Sequence, residues 1–175
     1  MEYFRISQDK RYLHPPIITN IRDIIKRRSD AAAGKGEQVA DANVAFIAPQ
    51  PETDFPDILD AQVFLVSDRM KEVFRMYEPS LRFKMVCVLD NIRGAYANYH
   101  IPLFPEADCL SPESVVLPDK SAVRELVLCK ERIGPGRIFR VAGLRTDAAV
   151  IRMDVLESLL RRGIRDFRFS RVRMA

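Results

Sequence analysis

The chain has 175 residues, 47% hydrophobic and 30% charged. A chain of that length buries enough surface to fold without disulfides or metal, and the composition is that of an ordinary globular domain. Its 28 Lys and Arg against 24 Asp and Glu leave a net charge of +4, a mild balance beside the concentrated basic charge of many nucleic-acid domains. The three cysteines, Cys87, Cys109 and Cys129, have neither metal nor redox spacing.

The opening MEYFRISQDKRYLHPP contains no apolar signal-peptide core. No apolar run approaches the roughly 18 residues of a membrane span. These features imply one domain over 1–175, cytoplasmic, with reduced thiols and no membrane contact.

Glu2 to Ile6 reads as a first strand, broken at His14-Pro15-Pro16. Asn20 can cap a short helix with Ile21, Ile24 and Ile25 on one face, and Lys26, Arg27 and Arg28 then suit its C-terminal dipole. Ser29 to Asp41 reads as a flexible loop. Its Gly34-Lys35-Gly36 lacks the preceding strand and the following Ser or Thr of a P-loop. Val44 to Ala48 and Gln62 to Val66 are strand candidates, separated by an acidic, proline-punctuated loop.

Ser67 then caps a helix with Met70, Val73, Phe74 and Tyr77 at i, i+3, i+4 and i+7, and Pro79 ends it. Phe83 to Leu89 and Ala95 to Leu103 read as paired strands, with Phe83, Met85, Cys87 and Leu89 sharing one face. A second pair is read as Val123 to Cys129 and Arg137 to Ala142, turned by Gly134-Pro135-Gly136. A last helix begins with Asp154 and Glu157 in a capping arrangement, buries Val155, Leu156, Leu159 and Leu160, and stops at Gly163. Ile164 to Val172 is the closing strand, with Phe167 and Phe169 on one face. No internal repeat is visible. The order implies an α+β fold with a mixed, largely antiparallel sheet and two or three helices. Residues 1–43 supply a strand, a short helix and a loop before a core over 44–172.

Reactive constellations are sparse. His14 and His100 lack the helical spacing of a zinc pair and have no sequence-visible link to a cysteine. Ser111 stands before Pro112, outside any nucleophile elbow. The acidic run with Glu52, Asp54, Asp57 and Asp60 lacks EF-hand spacing. No catalytic, cofactor or metal residue is assigned, and the chain is read as a non-enzyme. Two charged regions remain as partner-binding candidates. One is Asp54, Asp57 and Asp60; the other is the basic tail with Arg161, Arg162, Arg165, Arg168 and Arg171. Arginine beside Phe167 and Phe169 suits either an acidic protein surface or nucleic acid.

The segment FPDILDAQVFLVSDRMKEVFRMYEP resembles a bacterial family, first filed as a domain of unknown function, of immunity proteins from polymorphic toxin systems. The resemblance is carried by Pro56-Asp57-Ile58 and Phe64-Leu65-Val66-Ser67, by Asp108-Cys109-Leu110 with Glu113-Ser114, and by Ile138-Phe139-Arg140. Leu159 to Ile164 followed by Phe167-Arg168-Phe169 is similar to the family's closing helix, glycine and strand, although Asp166 stands where a glycine is usual. The likeness runs from about Val44 to Val172. It implies a cytoplasmic protein that neutralises a cognate toxin by binding it, with no catalytic residue to carry over. Nucleic-acid binding through the basic tail is the alternative, and an enzyme of unrecognised type the third reading.

Overall fold

The structure, a computed structural model, describes residues 1–31 and 35–175, apart from the side chain of Ser29. The first half runs β1 (Tyr3–Ser7), α1 (Ile21–Ile24), β2 (Ala42–Phe46), β3 (Ile58–Leu59), β4 (Leu65–Ser67), α2 (Asp68–Tyr77), β5 (Phe83–Asp90) and β6 (Ala95–Pro102). The second half runs β7 (Glu106–Ala107), β8 (Val115–Val116), β9 (Val123–Glu125), β10 (Val127–Leu128), β11 (Ile138–Val141), β12 (Ala149–Arg152), α3 (Met153–Arg161), β13 (Arg168–Arg171) and β14 (Arg173–Met174). The α+β class read from the sequence is what the chain adopts.

Two five-stranded sheets carry the fold, in the orders β13-β1-β12-β11-β7 and β2-β5-β6-β4-β3. Most pairings are antiparallel; β2 with β5 and β11 with β7 are the parallel ones in these sheets. The two sheets repeat one arrangement. In the second, β3 and β4 form an antiparallel pair, α2 follows β4 without a break, and β5 lies parallel to β4 with β6 between them. In the first, β11 and β12 form the pair, α3 follows β12 directly, and β13 lies parallel to β12 with β1 between them. No sequence repeat announces this, because the two copies share a pattern of elements rather than residues.

The helices pack on each other and bury one face of each sheet. Met70, Val73 and Phe74 of α2 and Val155, Leu156 and Leu159 of α3 join Phe4, Ile6, Ile138 and Ile151 from one sheet and Ile58 and Val66 from the other. Each such side chain stabilises the fold by about 1.5–3 kcal/mol relative to exposure. Ser67 Oγ accepts from the Met70 amide at 3.3 Å, as its capping position requires. Gly163 stops α3 at φ +72°, with the Ile164 amide donating to Leu159 O and the Gly163 amide to Leu160 O, a Schellman ending. The opposite faces are covered too. Ile18, Ile24, Ile25 and Val39 lie over the second sheet, while Cys109, Leu128, Ile133 and Val172 lie over the first.

Several expectations are corrected. The pair of Val123 to Cys129 with Arg137 to Ala142 does not form. β9 pairs with β8, β10 with β14, and β11 with β12 and β7. Asp154 does not cap α3. The helix begins at Met153, which puts Arg152 at the cap position and Asp154 in the first turn, where it pairs with Arg152 at 2.5 Å. Asn20 makes no cap bond to α1; its amide group bridges the chain to β2, accepting from the Phe46 amide and donating to Val44 O. Phe83, Met85, Cys87 and Leu89 share a face, but it is the half-buried one; Lys84, Val86, Val88 and Asp90 form the buried face of β5. In the Ser29 to Asp41 loop, short 3-10 turns occupy Arg28–Ala31 and Gly36–Gln38, while Gly34 of the glycine-lysine-glycine run lies outside the described residues.

Candidate functional site

Two clefts share a basic lining. The first, about 620 Å³, is lined by Arg27, Arg28, Lys35, Arg140 and Arg145, with Glu106 and Asp147 the acidic members. The second, about 670 Å³, is lined by Arg5, Lys10, Arg124 and Arg168, with Asp60 the acidic member. Arg28 joins them. Its guanidinium donates to the carbonyls of Asp60 (2.9 Å), Ala61 and Gln62 (3.1 Å), and it pairs with Asp147 at 3.6 Å. Nine cations therefore face three carboxylates across one contiguous region. That local +6 exceeds the +4 of the whole chain and leaves the remainder at −2.

Topology builds this concentration. Arg5 comes from β1, Arg140 from β11 and Arg168 from β13, all in one sheet. Arg140 is buried and donates to Glu106 at 2.5 Å and to Asp147 at 3.2 Å. Its guanidinium holds the Glu106 carboxyl below the usual range. Burial pushes the Asp147 carboxyl up, against the pull of Arg28 and Arg140. Asp147 Oδ2 is buried without a hydrogen-bond partner. Burial likewise depresses Arg5, which Asp60 partly offsets. This interior network fixes the floor, while Arg124 and Arg168 are exposed at the rim.

The residues singled out from the sequence divide. Asp60 and Arg168 come together in the second cleft. Asp60 also accepts from the Gln8 amide at 2.9 Å, so it orders the wall. Asp57 is buried and engaged within the fold, accepting from Ser67 Oγ at 2.6 Å and from the Asp166 amide at 3.1 Å. Asp54 is half-buried and accepts from the His14 amide at 3.0 Å. Arg161 is exposed and paired with Glu157 at 3.5 Å, and Arg162 donates to Ser158 Oγ at 2.6 Å; both lie outside the clefts. Arg165 is exposed in the turn before β13, and Arg171 pairs with Glu2. Sequence reasoning missed the other cleft cations, Arg5, Lys10, Arg28, Arg124 and Arg140 among them. They are scattered over more than a hundred positions, and only the tertiary fold gathers them.

The residues screened for chemistry lie elsewhere. His100 Nε2 contacts Asp68, and burial lowers its pKa. His14 lies 3.6 Å from Glu52. Cys109 is fully buried, whereas Cys87 and Cys129 are half-buried. Among the described residues no group of three or more His, Cys, Asp or Glu is placed to hold a metal, and no helix is long and apolar enough to cross a membrane. Compared with known proteins, the chain matches no protein-family model and no curated protein.

Proposed function

We propose that this protein is an immunity-type binder that neutralises a cognate bacterial toxin in the cytoplasm by covering its working surface. The observation that carries the reading is the contiguous basic region, nine cations against three carboxylates, on a chain of net charge only +4. A gathered basic region of this kind complements an acidic partner surface. The resemblance described above supplies the partner class. The scaffold suits such a role, since both sheets are covered on both faces and the rim arginines stand on a rigid base. Complementary charge steers encounter and selects the partner, while close packing supplies residence time.

Nucleic-acid binding ranks second. Neither cleft is lined by Phe, Tyr or His, so splayed bases find no stacking platform there. The exposed Phe169 beside Arg168 is what keeps that reading alive.

The test is calorimetry and stopped-flow association with the product of the neighbouring gene. Binding at micromolar concentration or tighter is expected, with association slowing as salt rises. Arg124→Glu, at an exposed rim position, should slow association about tenfold. Absence of binding at micromolar concentration, or retention on RNA or DNA in its place, overturns the reading.

A further inference from the structure

The two copies of the strand-helix-strand arrangement are not completed alike. In the second sheet the strand after the helix, β5, has β2 beside it on its outer side, paired in parallel from Ala42↔Met85 to Phe46↔Leu89. In the first sheet the corresponding strand is β13, and it ends the sheet. All four of its residues, Arg168 to Arg171, are exposed. The place that β2 fills in one half has no strand in the other among the described residues.

The register says which backbone groups face outward. β1 and β13 pair Phe4↔Arg171, Arg5↔Ser170, Ile6↔Phe169 and Ser7↔Arg168, and the Val172 amide donates to Tyr3 O at 2.9 Å. Hydrogen-bonded pairs alternate along an antiparallel ladder. With Tyr3 and Val172 as one such pair, Arg168 and Ser170 direct their amides to β1, and Phe169 and Arg171 direct theirs away from the sheet. A row of outward amides and carbonyls is a template for another strand.

The charge around this edge selects what can use it. Lys10, Arg11 and Arg168 line the groove beside β13, where Asp9 is the acidic residue and is held by Arg11 at 2.6 Å. Arg168 and Ser170 also border the second basic cleft. A second copy of β13 would bring Arg168 and Arg171 against their own kind, and like charges across a strand pair are unfavourable. An acidic strand meets the opposite condition.

We infer that the outer edge of β13 receives an extended acidic segment of the partner, which adds to the first sheet in the place that β2 takes in the second. The inference rests on the toxin-binding reading and deepens it, because it names the backbone that docks. The partner strand's amides and carbonyls pair with Phe169 and Arg171, and its carboxylates meet Arg168, Lys10 and Arg11.

The experiment compares two substitutions at one position in the full chain. Arg171→Pro removes an outward amide while leaving the amides that pair with β1, and proline is tolerated at such edge positions. Arg171→Ala removes the same side chain, with its Glu2 contact, and keeps the amide. With the product of the neighbouring gene, Arg171→Pro is expected to bind at least tenfold more weakly than Arg171→Ala. Hydrogen exchange on the unsubstituted chain is the second measurement, so that misfolding of the proline variant decides nothing by itself. Complex formation should slow exchange of the Phe169 and Arg171 amides at least tenfold. A complex that forms with these amides exchanging as in the free protein overturns the edge inference and leaves the toxin reading standing. Failure of the unsubstituted chain to bind at all removes both.

Discussion

Asp57 and Asp166 hold each other twice: the Asp57 amide donates to Asp166 O at 2.8 Å, and the Asp166 amide donates to Asp57 Oδ2 at 3.1 Å. Ser67 adds two more links to Asp57, its amide to the carbonyl at 2.9 Å and its hydroxyl to Oδ1 at 2.6 Å. One buried carboxylate thus ties the turn before β3, the start of α2 and the approach to β13. Asp57→Ala leaves the Ser67 hydroxyl and the Asp166 amide without their acceptor. We expect a loss of about 3 kcal/mol, read by urea unfolding. A loss under about 1 kcal/mol would mean that the carboxylate does not join the halves.

Tyr12 reaches the same junction from the other side, donating its hydroxyl to Asp166 Oδ1 at 2.7 Å. That bond, with burial second, raises the phenol from its ordinary 10.0 to about 12. The folded pKa is the higher one, so the contribution is complete below about pH 10 and is lost as pH rises through about 12. Burial raises Tyr3 and Tyr99 as well, so the check is a difference: absorbance titration of Tyr12→Phe should lose one late-forming tyrosinate relative to the unsubstituted chain, and the substitution should flatten this part of the alkaline stability profile. A Tyr12 that ionises near its ordinary value contradicts the geometry.

Cys109 is fully buried under the first sheet, and burial pushes its thiol up to about 11. The thiolate is the reactive form, so a buried, protonated thiol resists electrophiles. Ellman's reagent at pH 8 should leave Cys109 unmodified in the folded chain and reach it after denaturation. Mass spectrometry of the labelled cysteines checks this. Labelling of native Cys109 as fast as an unfolded control would show that its cover opens.

Gly163 ends α3 at φ +72°, and a Cβ there meets nothing within 4 Å. The cost of Gly163→Ala is therefore conformational rather than steric. We expect a loss of about 1–2 kcal/mol, with Gly163→Asn losing less because asparagine tolerates this conformation. Equal stability of all three chains would remove the left-handed stop as a requirement.

Local chemistry was legible where neighbours in sequence decide the outcome. Ser67 with the Met70-Val73-Phe74-Tyr77 spacing marks α2, and Gly163 marks the end of α3. Long-range pairing was not legible. Gly134 does turn the chain, at φ +69°, but the segments on its two sides pair elsewhere. β12 escaped notice because Ala149-Val150-Ile151-Arg152 is short and runs straight into a helix. On β5 the buried face is bounded by Lys84 and Asp90, which hide its alternation from hydropathy; Lys84 reaches out to Asp41 at 2.7 Å, and Asp90 accepts from the Ile92 and Arg93 amides. The basic region had no linear signal, since Arg5, Arg28, Arg124 and Arg140 become neighbours only after both sheets form. The tail arginines were visible as a run, but Arg161 and Arg162 belong to the end of α3 and stand outside the clefts.

The place of β1 between β12 and β13 has a consequence for biogenesis. Residues 3–7 are translated long before both of their ladder partners, which come from residues 150–171. On the ribosome the second sheet can assemble around β5 and β6 while this segment waits, unpaired, until β12 and β13 emerge. Closure over so long a separation is slow. Until it happens, the apolar side chains of Phe4 and Ile6 stand open to chaperones and to other nascent chains, so the step that closes the first sheet is also the one at which the chain is most easily lost.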